Sequence, residues 1–139
     1  LACDSVRGAA SARHWRELYV AAPVDDWPGA PVVEGYVDLA YLEVGSSAGP
    51  DGPGLVIVDY KTDAVADDAE RQAKADRYRL QGATYALAAE RATGLPVRRV
   101  ILCFLAADGA TEVEVDELPA AMAEVAAVAR ELSGRSTGT

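Results

Sequence analysis

The run GLVIVDYKTDAV, from Gly54 to Val65, restricts the fold more than any other part of the chain. Its LVIV stretch is apolar on both faces of an extended chain, which is typical of a strand in the middle of a sheet that helices cover. The run then ends in charged residues, among them Asp59 and Lys61. A charge at the end of a buried strand is costly unless it is solvated or paired. These charges are therefore either an ordinary strand exit or groups held there for chemistry.

Hydrophobic periodicity and turn residues predict the order strand, strand, strand, long helix, strand, strand, helix. The strands are expected at Trp15–Ala21, Val32–Val44, Leu55–Lys61, Val97–Ala106 and Thr111–Leu118, and the helices at Asp67–Pro96 and Pro119–Leu132. The segment Gly45–Gly54, rich in Gly, Pro and Ser, is expected to be a loop joining two strands of a hairpin. This order predicts an α/β fold with a central mixed β-sheet flanked by helices.

With 139 residues, half of them hydrophobic, the chain is long enough for one domain and too short for two. The domain is expected over residues 1–133, followed by a disordered tail at 134–139. No run approaches the roughly 18 apolar residues that span a bilayer, so no membrane partner is expected. Cys103 lies inside the apolar run VILCFL, where a reduced, buried thiol is expected. A reduced thiol favours a reducing compartment, the cytoplasm.

The formal net charge of −9 argues against a stand-alone nucleic-acid binder, because affinity for phosphates depends on clustered Lys and Arg. If DNA is the substrate, a local basic patch or another part of a larger protein must hold it. The long helix carries one basic run, which is more often a solvated face balanced by neighbouring acids: Arg71, Lys74, Arg77 and Arg79.

The strand that ends the opening run places a carboxylate and an ammonium on one side. Successive side chains of a strand alternate between faces, so Asp59 and Lys61 point the same way and Tyr60 points the other way. A hairpin with the preceding strand would bring Asp38 beside Asp59. Two adjacent carboxylates repel each other and invite a divalent cation such as Mg²⁺, with waters and phosphate oxygens completing its shell. With a lysine to orient water or stabilise developing charge, this set predicts phosphodiester hydrolysis.

Two polar residues of the long helix are candidates for the same cleft. Gln81 and Tyr85 are four residues apart and so share one face of the helix. A helix packed over the sheet would bring both side chains to the rim of the cleft.

These motifs resemble those of the RecB-like nucleases of the PD-(D/E)xK superfamily, written G-x-x-D, D-Y-K-T and Q-x-x-x-Y. The matching residues lie in order over about residues 15–106: Gly35 and Asp38, then Asp59, Tyr60, Lys61 and Thr62, then Gln81 and Tyr85. The strand around Glu17 is similar to an acidic strand that commonly precedes them, although surface charge explains Glu17 equally well.

The resemblance implies a restriction-endonuclease-like core and Mg²⁺-dependent cleavage of DNA, with Mn²⁺ as a possible substitute. It implies that Asp38, Asp59 and the Tyr60 carbonyl ligate the metal and that Lys61 is catalytic, with Gln81 and Tyr85 completing the site. It also implies an exonuclease joined to a UvrD-type, ATP-dependent helicase that acts in DNA recombination and repair. The expected partners are DNA, the helicase portion of the parent chain and a second helicase-nuclease subunit.

One departure concerns a histidine that the family supplies as a metal ligand from a helix well upstream. His14 is too close to the first strand for that role, so the usual ligand and its helix are expected before Leu1, and the isolated chain is expected to be a folded but weak nuclease. The alternative is an inactive nuclease-like scaffold that binds DNA or a partner subunit. In that alternative, Asp59 and Lys61 form a plain salt bridge at a strand exit and Asp38 is a strand-end aspartate.

Overall fold

The computed structural model describes residues 13–44, 52–62, 67–106 and 109–137. The elements follow the predicted order: β1 (His14–Pro23), β2 (Val32–Glu43), β3 (Gly54–Lys61), α1 (Asp68–Thr93), β4 (Val97–Ala106), β5 (Gly109–Glu114) and α2 (Leu118–Thr137). Residues 45–51 of the expected hairpin loop lie outside the described residues. The last helix continues past Leu132 to Thr137, into the segment for which disorder was expected.

The five strands form one mixed sheet in the order β1-β2-β3-β4-β5. The pairs β1–β2, β2–β3 and β4–β5 are antiparallel, whereas β3 and β4 are parallel. Parallel neighbours need a crossover connection, and α1 supplies it between β3 and β4. The predicted fold, a central mixed sheet with flanking helices, is confirmed.

The middle strand β3 is buried on both faces, as its apolar run predicts. Leu55 and Ile57 pack on the side covered by α1 and α2, which we call the helix face. Val56 and Val58 pack on the opposite side, the second face, and all four side chains are at most 2% exposed. A strand buried in this way has no solvated position for a charge before its end.

Helix α1 lies close against the sheet because its contact surface is made of small residues. The buried residues of this helix are Ala75, Gly82, Ala83, Ala86, Ala88 and Ala89. A Cβ on Gly82 would lie 3.0 Å from Val100 Cγ1, so even one added methyl group would crowd the sheet. Close packing brings the longer side chains of α1 over the end of β3.

The ends of α1 are set by local chemistry that the sequence already contains. Asp67 accepts a hydrogen bond from the Glu70 backbone N–H (2.8 Å), which caps the first turn. Gly94 adopts φ 75°, and its N–H donates to the Glu90 carbonyl (2.9 Å). A left-handed conformation favours glycine, so the helix ends here.

One expectation about the second face is wrong. Cys103 was expected to be a reduced thiol, but it is disulfide-bonded. The only other cysteine of the sequence, Cys3, lies outside the described residues. A buried apolar run predicts that a cysteine is inside, but it does not show whether a second sulfur reaches it. The inference of a reducing compartment therefore loses its basis.

We expect Leu102→Ala to lower the free energy of unfolding by about 2–5 kcal/mol, because the substitution leaves a cavity in a tightly packed core. Leu102 is fully buried on the helix face of β4. The measurement is urea unfolding followed by circular dichroism. Leu132→Ala is the matched control, since Leu132 is 57% exposed and its loss should change stability by less than about 0.5 kcal/mol. Equal effects of the two substitutions would contradict this packing.

Candidate active site

The site lies where β2 and β3 separate. Their ladder runs from Glu43–Gly54 to Leu39–Val58 and ends there. Beyond it, β3 continues beside β4 and β2 continues beside β1. Asp38 and Asp59 are the first residues past the last pair, one on each side of this fork. The Tyr60 backbone N–H donates to Asp38 Oδ2 (2.8 Å), which holds the Asp38 carboxylate at the opening.

Strands β1 and β2 share an irregularity next to Asp38. In the first part of β2, odd-numbered residues such as Val33 and Val37 point to the helix face. Farther along the strand, even-numbered residues such as Ala40 and Leu42 point to it, so the alternation changes between the two parts. Facing this change on β1, Glu17 has φ 51°, a value uncommon for a non-glycine residue. Register does not shift here, because Arg16 pairs with Leu39 and Leu18 with Val37.

The Asp38 carboxyl group lies beside that of Asp59, because both a hydrogen bond and the negative charge of Asp38 act on Asp59. The structure thus brings together two carboxyl groups that the sequence places on paired strands.

Asp59 is a buried charge with a lysine beside it. Its side chain is 7% exposed and that of Lys61 is 12% exposed, and Lys61 Nζ lies 2.8 Å from Asp59 Oδ2. Apart from this ion-pair contact, Asp59 Oδ2 has no hydrogen-bond partner among the described residues. A buried oxygen that is not fully satisfied is uncommon and marks a position where another ligand can bind.

Burial raises the pKa of Asp59 from its usual value of 3.8 to about 6. The neighbouring Lys61 opposes this rise, and the hydrogen bond and negative charge of Asp38 add to it. A strongly shifted carboxyl group beside a second carboxyl group and a lysine is typical of functional sites.

Two side chains of helix α1 contact the ammonium group of Lys61. The ammonium donates to Gln81 Oε1 (2.7 Å) and lies 4.0 Å from the centre of the Tyr78 ring. The structure therefore places Gln81 beside Lys61, and its contact is with the lysine. Tyr78 was missed, although it stands three residues before Gln81 and seven before Tyr85 on one face of the helix, a spacing that could have revealed it.

Tyr85 reaches the fork because Gly35 leaves room for its ring. A Cβ at Gly35 would lie 2.3 Å from Tyr85 Cδ1, so the ring rests on the glycine backbone. Burial, followed by the charges of Asp59 and Asp38, raises the pKa of Tyr85. Its hydroxyl therefore stays protonated at neutral pH and lies within the electrostatic reach of both carboxylates.

The donor set suits a hard divalent cation with few protein ligands. Among the described residues, no group of three or more His, Cys, Asp or Glu side chains could hold a metal ion. Two carboxylates and a backbone carbonyl remain, and Mg²⁺ commonly takes one or two carboxylates plus waters and substrate phosphates. Because the N–H and C=O of one strand residue point the same way, the Tyr60 carbonyl also points into the fork.

A model of the PD-(D/E)XK nuclease superfamily matches residues 4–138 of the chain. The chain belongs to this superfamily. Members of the PD-(D/E)XK superfamily are generally hydrolytic nucleases that use divalent metals, so the match agrees with the oxygen ligands and the lysine at the fork. A search of curated proteins found no match. Neither helix in the described part of the chain is long and apolar enough to cross a membrane.

In this PD-(D/E)XK domain, the basic run on α1 is largely balanced by acids. Arg71 pairs with Asp68, Lys74 lies 3.9 Å from Glu70, and Arg79 lies 3.2 Å from Glu124. These contacts agree with the interpretation of a solvated helix face.

The two upstream candidates differ in position. His14 is exposed on β1 and pairs with Tyr41. Glu17 instead lines a cleft of about 380 Å³ with Arg16, Asp38, Leu39 and Tyr60. The structure therefore brings Glu17 to the rim of the site of this PD-(D/E)XK domain.

We expect the stability of the metal-free protein to fall as the pH rises, through the titration of Asp59. The fold raises the pKa of Asp59 from 3.8 to about 6, so the folded state favours the protonated carboxyl group. The stabilisation that results is complete below the unfolded pKa of 3.8 and is lost as the pH rises through the folded pKa of about 6. The free energy of unfolding should fall by about 1–3 kcal/mol over this window. Asp59→Asn should remove that fall.

The measurement is urea unfolding in EDTA at a series of pH values. Asp116→Asn is the control, because Asp116 is exposed in the turn before α2 and should leave the pH dependence of the wild type intact. Parallel curves for wild type and Asp59→Asn would show that Asp59 does not titrate in this range.

Proposed function

We propose that the chain is a divalent-metal-dependent deoxyribonuclease domain that hydrolyses phosphodiester bonds. The observation that carries this proposal is the fork between β2 and β3, where a buried, incompletely satisfied Asp59 oxygen meets Asp38 and an immobilised Lys61. Membership of a superfamily of nucleases supports the same chemistry.

Asp38, Asp59 and the Tyr60 carbonyl would hold the metal, Mg²⁺ or Mn²⁺. When bound, the cation would supply Lewis-acid chemistry by neutralising the charge on the scissile phosphate. Asp59 must be ionised to serve as a ligand. Its raised pKa means that metal and proton compete for the same oxygen in mildly acidic solution.

Lys61 would act on the reacting groups rather than on the metal. Its ammonium has three donors, of which Gln81 and Asp59 engage two, and the Tyr78 ring limits its movement. A cation held in place costs little reorganisation when negative charge develops on the phosphate. Gln81 and Tyr78 would therefore be positioning residues that act through Lys61.

We further propose that the domain is of the RecB-like group and works as an exonuclease. The support is the order of three motifs, which begin at Gly35, at Asp59 and at Gln81. In this proposal the domain acts in DNA recombination and repair, linked to an ATP-dependent helicase. The net charge of −9 supports such a linkage, because basic surface on another part of the protein would then hold the DNA.

We expect the affinity for Mn²⁺ to fall about tenfold for each pH unit below the Asp59 pKa of about 6, because each bound ion displaces one proton. Asp59→Asn and Asp38→Asn should each weaken binding at neutral pH, whereas Asp116→Asn should not. The measurement is titration of free Mn²⁺ by electron paramagnetic resonance. Unchanged affinity in both site variants would exclude this pair of ligands.

We expect Lys61→Met to reduce cleavage of labelled DNA by about 10²–10³-fold, because it removes a preorganised cation from the reacting phosphate. Binding of Mn²⁺ should persist. The measurement is single-turnover cleavage at saturating protein. Lys74→Met removes the only other lysine of the chain, which lies near Glu70, and should cut at nearly the wild-type rate.

The same assay separates a nuclease from an inactive scaffold. A wild-type protein that binds Mn²⁺ at Asp38 and Asp59 but cuts neither single-stranded nor duplex DNA would contradict the proposed activity. Near-normal cutting by Lys61→Met would contradict the role of the lysine and leave the activity itself in place.

A further inference from the structure

One positively charged side chain at the fork has no role in the proposed metal and lysine chemistry. Arg16 lines the cleft of about 380 Å³ together with Glu17, Asp38, Leu39 and Tyr60. Among the described residues that line this cleft, it is the only one with a positive charge. A guanidinium group stays protonated at any working pH, and its planar set of N–H donors fits the oxygens of a phosphate.

Among the described residues, the Arg16 guanidinium group has no partner. It forms no ion pair or hydrogen bond with them, although it shares the cleft with two carboxylates. Most of the other described arginines form ion pairs with carboxylates: Arg71, Arg79, Arg91, Arg99 and Arg130. The donors of Arg16 are therefore available to a ligand in the cleft.

Arg16 and Lys61 lie on opposite faces of the sheet. Arg16 is paired with Leu39, which packs on the second face, and the side chains of directly paired residues share a face. Lys61 instead contacts α1 on the helix face. Asp38 belongs to both sides, because it lines the cleft of Arg16 and its carboxyl group acts on Asp59. The carboxylates of the fork thus have one cation on each side.

The space around the fork decides on which side a DNA strand can continue. On the helix face α1 covers the site, and the side chain of Lys61 is only 12% exposed. On the second face the cleft is open, and Arg16 is an exposed residue of the edge strand β1. DNA carries a negative charge on every nucleotide, so a strand with one phosphate at the carboxylates has its next phosphate close by. The open side is the one that can receive it.

We propose that Arg16 binds the DNA phosphate next to the one at the carboxylates and so fixes the path of the strand across the fork. The inference rests on the proposed nuclease function and adds a DNA-binding residue to the same site. Because this phosphate does not react, the contact contributes to binding of the strand and not to the chemical step. A phosphate contact reads no base, so it acts equally on strands of any sequence.

The test is equilibrium binding of a fluorescently labelled single strand, measured by anisotropy over a series of KCl concentrations with Ca²⁺ in place of Mg²⁺. Arg16→Gln should weaken binding about tenfold at low salt, the range of one hydrogen-bonded contact between charged groups. The slope of log K against log salt should become shallower by about 0.7, because one phosphate fewer is neutralised. Arg16→Lys should keep the wild-type slope, because it keeps the charge.

Arg79→Gln is the matched control, because it removes the same charge from a side chain that already pairs with Glu124. It should bind with the wild-type affinity and slope. Partial unfolding of β1 in Arg16→Gln would lower the fraction of competent protein and leave the slope unchanged, so the slope distinguishes a lost contact from a lost fold. An unchanged slope in Arg16→Gln, or an equal change in Arg79→Gln, would overturn the proposal.

Single-turnover cleavage separates binding from chemistry. Arg16→Gln should need about ten times more protein to reach half of its maximal rate and should keep that maximal rate, whereas the proposed role of Lys61 predicts a lower maximal rate. A lower maximal rate with unchanged half-saturation in Arg16→Gln would contradict the inference. Because the anisotropy measurement needs no cleavage, a wild type that binds the strand through Arg16 but does not cut would retain this contact and refute the nuclease function.

Discussion

Burial of the Asp59 carboxylate is the constraint to which the rest of the site responds. The strand before it is covered on both faces, so the chain leaves the core through a charge that is only 7% exposed. A buried ion pair seldom repays the cost of removing both charges from water, and replacing it by apolar groups is often neutral or stabilising. Stability is therefore a poor explanation for Asp59 and Lys61, and a site that needs a carboxylate and a cation in one place is a better one.

Helix α1 makes this arrangement possible through its small residues. Alanines and Gly82 let it lie close to the sheet, and at Gly35 the sheet in turn leaves space for the ring of Tyr85. A larger residue at either glycine would push the helix or the ring outward. Packing and chemistry are thus coupled, because the contact that forms the core also sets the distance from Gln81 to Lys61.

The separation of β2 and β3 organises two kinds of surface along one strand. Two carboxylates and a lysine gather at the fork, and the exposed rings of Tyr36 and Tyr19 lie farther along β2 and β1. On a chain with net charge −9, contacts with phosphates are weak over most of the surface.

Local pattern was sufficient to predict the elements and to select the candidate residues that the fold brings together. The apolar run before Asp59 predicted the central strand, Gly94 marked the end of α1, and alternation placed Asp59 and Lys61 on one side. These features depend on neighbours in sequence, and strand alternation, helix spacing and capping are local rules. The same rules did not find Tyr78, since a tyrosine on a helix face is ordinary until a lysine is seen below it.

The rest depended on contacts between distant segments. Only the folded sheet brings the Asp38 carboxylate to Asp59 and to the Tyr60 N–H, because β2 and β3 separate just past the Leu39–Val58 pair. Only the packed helix reveals that Gln81 binds Lys61 and that the Tyr85 ring covers Gly35, and only the folded chain shows that Cys103 is disulfide-bonded. Residue types and their order determine which groups are available and on which element each lies. Their directions and distances are set by how β1, β2, β3 and α1 pack, and no local rule contains that information.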